Sequence, residues 1–321
     1  MSRPLILAAT PVPAHLEEKL KQACEVIKVP RGTRPSDSVS AEQAGQVEGL
    51  LCNPAVPVDA ALMDALPALK VISNFAVGYD NIDVAAAASR QIIVCNTPGV
   101  LDAAVADLTI GLLICLSRNL VHGDTYVRDG SWETRGAPPL TQDVRGKTIG
   151  LLGMGRIGRE VARLAQAFDL TVLYHNRNRD PQADESGLAE YVDRDALFAR
   201  SDFVSIHVPH TPETENSIGK REFDLMKPSA YVINTGRGAV INEPELIEAL
   251  KTDQIAGAAL DVMVQEPLPA DHPLCKLPNV ILQAHIGSAT TETRLAMITL
   301  ATENLLDVLA GRTPKAVVTP S

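Results

Sequence analysis

The sequence predicts an α/β protein with two doubly wound parallel sheets. Short apolar runs alternate with helical patterns along all 321 residues, as expected for parallel sheets covered by helices. Midway, at 153–158, a G-x-G-x-x-G stands between an apolar run and a helical stripe, which makes a strand–turn–helix unit. Five strand-like runs precede it and form a unit of their own. Length alone points to about two domains.

In the first unit the runs 5–9, 24–29, 49–52, 71–75 and 92–95 read as strands, with helical patterns at 14–23, 60–65 and 84–89. An apolar helical stretch follows at 105–116, then a polar link through Gly136, Pro138 and Pro139 to Arg145. The runs 149–152, 171–174, 203–208, 231–234, 256–262 and 280–283 supply the second unit's strands, with a helix at 244–250. A last helix, 289–309, carries Leu295, Ile298, Leu305 and Val308 on its apolar side and stops at Gly311. Pattern alone leaves open which unit it joins.

Composition excludes several classes. Aromatics are 3% of residues, too few for base-stacking platforms, and the net charge of −10 comes with no basic block, so neither nucleic acid nor an anionic membrane is an expected partner. Cys24, Cys52, Cys95, Cys115 and Cys275 are scattered without a C-x-x-C pair, which suits reduced thiols and a cytoplasmic location. The run 5–9 reads as a first strand rather than a signal-peptide core. No uncharged run reaches the roughly 18 residues that span a membrane. No cluster of His, Cys and carboxylates has metal-ligand spacing, so no metal is expected.

The glycine motif carries the first chemistry. Ile157, Val161, Leu164, Ala165 and Phe168 form the apolar stripe of the helix it opens. Gly153 permits a tight turn, Gly155 lets backbone approach a pyrophosphate, and Gly158 lets helix pack closely on strand. With Arg156 and Ile157 they would place the phosphates of a dinucleotide at the helix N-terminus, where free N–H groups and the helix dipole favour anions. Past the next strand, an acid would read the ribose 2′-hydroxyl of NAD, and arginine would accommodate the 2′-phosphate of NADP. Here His175, Asn176, Arg177, Asn178 and Arg179 come before any acid. NADP is therefore the expected cofactor, with Asn176, Arg177 and Arg179 as contacts and NAD possible.

Three polar residues follow later strands: Arg237, Glu266 and His285. Ligands of open parallel sheets bind beyond the strands' carboxyl ends, so the three could meet as a fixed cation, a carboxylate and an imidazole. Spacing alone does not separate that from structural roles.

Nearly the whole chain resembles the NAD(P)-dependent D-2-hydroxyacid dehydrogenases, and among them the NADPH-using glyoxylate/hydroxypyruvate reductases. The likeness runs through Asn-Phe-Ala-Val-Gly-Tyr-Asp-Asn-Ile-Asp at 74–83, Asn-Thr-Pro-Gly-Val-Leu at 96–101, the glycine fingerprint, His-Val-Pro at 207–209, the Arg237 motif, Asp261 with Glu266-Pro267, and His-Ile-Gly-Ser-Ala-Thr at 285–290. The resemblance implies a Rossmann cofactor domain, 100–287, inserted in a flavodoxin-like substrate domain of 1–99 and 288–321, with hinge closure. It further implies reduction of a small 2-keto acid to the D-2-hydroxy acid. Arg237 would hold the substrate carboxylate and carbonyl oxygen, and His285 would protonate that oxygen. Glu266 would orient the imidazole and favour its charged form. Backbone N–H groups at Val77 and Gly78 would bind the carboxylate, Asp261 the nicotinamide carboxamide, and Thr235, Val208 and Pro209 would line the cofactor. A homodimer is implied by resemblance only; Trp132 reads as a packing or subunit-contact residue.

The chain departs from the family pattern at Met263 and Val264, often Phe and Glu, at Ala284, commonly proline, and at Asp107, frequently glutamate. None of these removes a catalytic group. The loop 51–56 is small and neutral and suits a small or neutral polar keto acid. His15, His122, His207, His210 and His272 have no expected part in proton transfer. The alternatives are a reductase of 2-ketogluconate or bulkier acids and, in another class, a non-catalytic dinucleotide-sensing scaffold.

Overall fold

The computed structural model describes residues 3–319. Strands β1 (Leu5–Ala8), β2 (Glu25–Lys28), β3 (Val47–Cys52), β4 (Val71–Asn74) and β5 (Ile93–Cys95) pair in parallel in the order β2-β1-β3-β4-β5. That is the flavodoxin-like order. The residues of β1 and β4 are buried throughout, as strands covered on both faces must be. The edge strand β2 instead turns Glu25 and Lys28 to solvent, which discourages pairing with another chain.

The second sheet holds β6 (Thr148–Leu152), β7 (Thr171–His175), β8 (Glu190–Tyr191), β9 (Phe203–Ile206), β10 (Tyr231–Asn234), β11 (Gly257–Leu260) and β12 (Val280–Leu282), in the order β12-β11-β10-β9-β6-β7-β8. Counted from β6, this is the dinucleotide-fold order 3-2-1-4-5-6 with one further strand. The order reverses between β6 and β9, and β6 leads directly into the glycine fingerprint. At two residues, β8 is too short to show a period in the sequence.

The chain divides into two compact units. One runs up to Leu101 and resumes at Thr290, and the other is Asp102–Ala289. In the second unit the apolar helix Asp102–Ser117 buries Ile110, Leu112, Leu113 and Leu116 in one core with Ile149, Leu151, Val161 and Ala165. No single helix among the described residues is long and apolar enough to cross a membrane. The polar link is more ordered than its composition suggests, since helices Leu120–Arg128 and Ser131–Arg135 occupy its first half. Asn119 and Gly130 precede these helices in left-handed conformations, which lets them follow one another after sharp turns.

Helix Thr291–Leu309 belongs to the first unit. The Ser73 hydroxyl donates to the Ala301 carbonyl at 2.7 Å, and Leu305 lies against Gly49 of β3. Of its expected apolar side, Ile298 and Leu305 are buried and Val308 packs partly buried on the same core, but Leu295 does not. Met297, Ile298, Ala301 and Leu305 are buried together with polar Thr302 and Asn304, whereas Leu295 is exposed because burial begins two residues later. At the C-terminus Gly311, at φ +70°, donates to Val308, and Arg312 donates to Asp307. That pair of bonds is the Schellman stop expected of a glycine there.

Candidate functional site: a glycine turn and a histidine–glutamate pair

In the second unit, the three glycines are each required for a different reason. Gly153 stands at φ +106°, where a Cβ would lie 2.7 Å from the His207 carbonyl carbon and 2.9 Å from the Val208 nitrogen. The turn therefore presses against the segment leaving β9. A Cβ on Gly158 would overlap the Gly153 carbonyl oxygen, so this glycine brings the helix against the turn itself. A Cβ on Gly155 would meet nothing within 4 Å, and Gly155 caps helix Arg156–Ala167 with no side chain on its first turn. Open space before an uncapped helix N-terminus fits a dinucleotide's phosphates. Of the predicted apolar stripe, Val161 and Ala165 are fully buried, and Ile157, Leu164 and Phe168 pack partly buried on the same core.

After β7, Asn176 turns inward. Its side-chain oxygen accepts from the Met154 amide at 2.7 Å, tying the post-β7 segment to the glycine turn. Arg177 and Arg179 are exposed, and the Arg179 guanidinium sits 5.4 Å from the Tyr191 ring centre. Asp180, the first acid beyond them, is paired with Arg159 at 2.6 Å.

The loops after β10, β11 and β12 carry Arg237, Glu266 and His285. Arg237 lies in a turn held from within, where Asn234 donates to the Arg237 carbonyl at 2.9 Å and accepts from the Gly236 amide at 3.0 Å. A Cβ on Gly238 would overlap the Met263 carbonyl, so this turn packs on the loop that carries Glu266. One Glu266 oxygen accepts from the Met263 amide at 3.0 Å, and the other is 2.8 Å from His285 Nδ1. Burial alone would raise this carboxyl. The bonds from His285 and the Met263 amide, with the charges of His285 and Arg237, outweigh it and hold Glu266 below the ordinary carboxylate range.

His285 is a non-glycine residue at φ +55°, a conformation that persists only where its surroundings enforce it. Asp261 enforces it. Its carbonyl accepts the His285 amide at 2.9 Å, and its buried carboxylate accepts the amides of Ile286 at 2.7 Å and Gly287 at 2.8 Å. The residue expected to meet the nicotinamide thus also builds the turn that aims the imidazole. The Thr109 hydroxyl donates to the Val105 carbonyl, so at 3.0 Å it accepts from Thr235. His207 bonds Ser205 at 2.8 Å, and burial lowers its imidazole to about 4; Val208 and Pro209 follow it at the glycine turn.

In the first unit, Val77 and Gly78 lie in the loop after β4, each partly exposed. The expected substrate-facing loop 51–56 is shorter than expected. Leu51 and Cys52 are the buried end of β3, and burial pushes the Cys52 thiol up to about 12. Only 53–56 turns outward, closed by the Ala55 amide on the Asn53 side chain at 2.9 Å. Asn234 and the amide-holding role of Asp261 are not evident from the motifs. Both end or follow apolar runs, and a buried polar residue at a strand end is the signal that could have found them.

The model of the D-isomer specific 2-hydroxyacid dehydrogenase NAD binding domain matches residues 110–287. A glyoxylate reductase of Thermofilum pendens is 42% identical over 99% of this chain and 95% of its own. A glyoxylate/hydroxypyruvate reductase B of Citrobacter koseri is 40% identical over 99% and 98%. Among solved structures, the NADPH-dependent glyoxylate/hydroxypyruvate reductase of Sinorhizobium meliloti in complex with NADP and malonate superposes with a TM-score of 0.90 at 35% identity, covering 99% of this chain and 97% of that one. The family model covers most of the second unit and these relatives span both units described above: the chain belongs to the D-isomer specific 2-hydroxyacid dehydrogenase family.

Proposed function

We propose that this protein is an NADPH-dependent reductase of small 2-keto acids, of the glyoxylate and hydroxypyruvate type, forming the D-2-hydroxy acid. The observation that carries the reading is the His285–Glu266 pair at 2.8 Å, in the same unit as the glycine turn and Arg237. Glu266 takes Nδ1, which leaves Nε2 to give its proton to the substrate oxygen. Arg237, a fixed cation, holds the carboxylate and polarises the carbonyl, and the amides of Val77 and Gly78 bind the carboxylate. A bound reduced nicotinamide supplies the hydride. As the carbonyl π bond breaks, the new O–H forms with the proton from His285, and Glu266 stabilises the imidazolium until then.

The domain that holds the cofactor is 100–287, and 1–99 with 288–321 is the substrate domain. Gly153, Gly155, Arg156, Ile157 and Gly158 hold the pyrophosphate. Asn176, Arg177 and Arg179 hold the adenosine ribose and its 2′-phosphate, and Val208, Pro209, Thr235 and Asp261 surround the nicotinamide end. The protein works in the cytoplasm as a homodimer. Support for the dimer comes from segment 120–140, where Leu120, Val121, Val127, Trp132 and Leu140 are all exposed and Trp132 is 59% so. Light scattering should give twice the chain mass.

The test of the reading is oxidation of NADPH with a panel of 2-keto acids, beside NADH. Turnover of glyoxylate or hydroxypyruvate with NADPH preferred is expected. Replacing Arg177 and Arg179 together by alanine should remove most of that preference, about tenfold or more in kcat/KM. No turnover of any keto acid would overturn the reading, and a wild-type preference for NADH would overturn its cofactor part.

A further inference from the structure

The loop after β4 presents its amides because its carbonyls are held on the other side. The Ala76 carbonyl accepts from the Thr97 amide at 2.8 Å, and the Val77 carbonyl accepts from Asn96 Nδ2 at 2.8 Å. Among the described residues the one cis peptide is Glu266–Pro267, so these peptides are trans. In a trans peptide the C=O of one residue and the N–H of the next point in opposite directions. Drawing two successive carbonyls to the 96–97 segment therefore turns the N–H groups of Val77 and Gly78 away from it, side by side. Among the described residues neither amide has a hydrogen-bond acceptor. Adjacent outward amides of this kind form an anion-binding concavity.

We infer that Asn96 is a positioning residue for the reaction: its side-chain amide fixes the Val77 carbonyl and so aims the Gly78 amide at the substrate carboxylate. The inference rests on the proposed role of the Val77 and Gly78 amides. Two further contacts support it. Asn304, fully buried in helix Thr291–Leu309, donates to the Asn96 carbonyl at 3.2 Å and accepts from the Lys315 amide at 2.9 Å, which pins the Asn96 backbone. Asn74 holds the next carbonyl, that of Gly78, at 2.9 Å. Asn96 acts on an amide that holds the substrate carboxylate and not on the proposed proton donor, so it should govern substrate affinity rather than the chemical step.

The test is Asn96→Ser, neutral and too short to reach the Val77 carbonyl. KM for glyoxylate and the inhibition constant of oxalate should rise together, by about tenfold. The cofactor dissociation constant should stay within about twofold, and kcat should fall less than KM rises. A merely structural asparagine would lower the melting temperature or the active fraction and leave KM alone, and that outcome overturns the inference. Wild-type enzyme assayed with glyoxylate and its neutral amide, glyoxylamide, isolates the underlying reading. If the wild type does not prefer the carboxylate, the amide site itself is wrong. If it does and Asn96→Ser keeps its KM, only the role of Asn96 fails. Should the serine variant not fold, Asn96→Asp at high salt carries the same test. The carboxylate has the shape of asparagine but cannot donate, and the salt screens its charge.

Discussion

Two stretches of backbone in this protein present amide groups outward, and the sequence encodes them by different means. At 153–158 the encoding is local. Gly153 must stand at φ +106°, Gly158 must leave room for the Gly153 carbonyl, and the helix they open orients its own first N–H groups. At 76–79 no helix orients the amides. Thr97 and Asn96, some twenty residues onward, hold the carbonyls, and Asn304, two hundred residues beyond, pins Asn96. A motif written in consecutive residues can be read from one dimension, but one written in partners across a sheet cannot. The His285–Glu266 pair lies between these cases, because Glu266 and His285 meet only after β11 and β12 are placed side by side.

Since the His285–Glu266 pair is made of side chains, it should respond most to a single substitution. His285→Ala removes the proposed proton donor and should lower kcat about 10²–10⁴-fold without weakening NADPH binding. Steady-state kinetics beside a cofactor titration would decide it, and near-normal kcat would place the donor elsewhere. The glycine turn should break differently. Gly158→Ala drives a methyl into the Gly153 carbonyl and should weaken cofactor binding on the order of tenfold or more, whereas Gly155→Ala adds a methyl to open space and keeps the free enzyme's melting temperature. Equal melting temperatures and equal cofactor affinities for the two variants would remove the local argument.

His207, beside that turn, sharpens the comparison through pH. Its imidazole is lowered from 6.5 to about 4 in the folded protein, so the unfolded chain takes up the proton first. Stability is then complete above about pH 6.5 and falls as pH drops toward about 4. The loss is about 2 kcal/mol once the residue's partial exposure is allowed for. Melting curves of His207→Gln should lack this decline, and a decline equal to wild type would assign it to another group. The smallest effect belongs to Glu266. Its carboxylate bonds His285 Nδ1 at 2.8 Å, so Glu266→Gln, which keeps the shape and loses the charge, should lower kcat and leave the cofactor dissociation constant unchanged. An unchanged kcat would remove Glu266 from the reaction.

Legibility in the sequence followed the same division. Most strands of both sheets were readable because they are short apolar runs, the central ones buried on both faces, and the glycine fingerprint because its spacing is local. Two-residue β8 was not, nor were the helices inside the polar link. Leu295 looked like core because it repeats at helical spacing, yet the helix begins its burial at Met297 and spends part of that face on Thr302 and Asn304. Leu51 and Cys52 fell in both the expected strand 49–52 and the expected loop 51–56, and the sheet claims them.

By itself the sequence determined the alternation of strand and helix and the dinucleotide turn, since each depends on residue type and near-neighbour spacing. Arg237, Glu266 and His285 stood out only at strand ends and took their roles from the family resemblance. Only the tertiary structure decided that Asp261 shapes the His285 turn, that Gly238 seats the Arg237 turn on the Glu266 loop, and that the last helix returns to the first sheet to hold Asn96. Those contacts join residues from 24 to 208 positions apart, and the partner of a hydrogen bond at such separation is chosen by the packing of sheets, which no local pattern records.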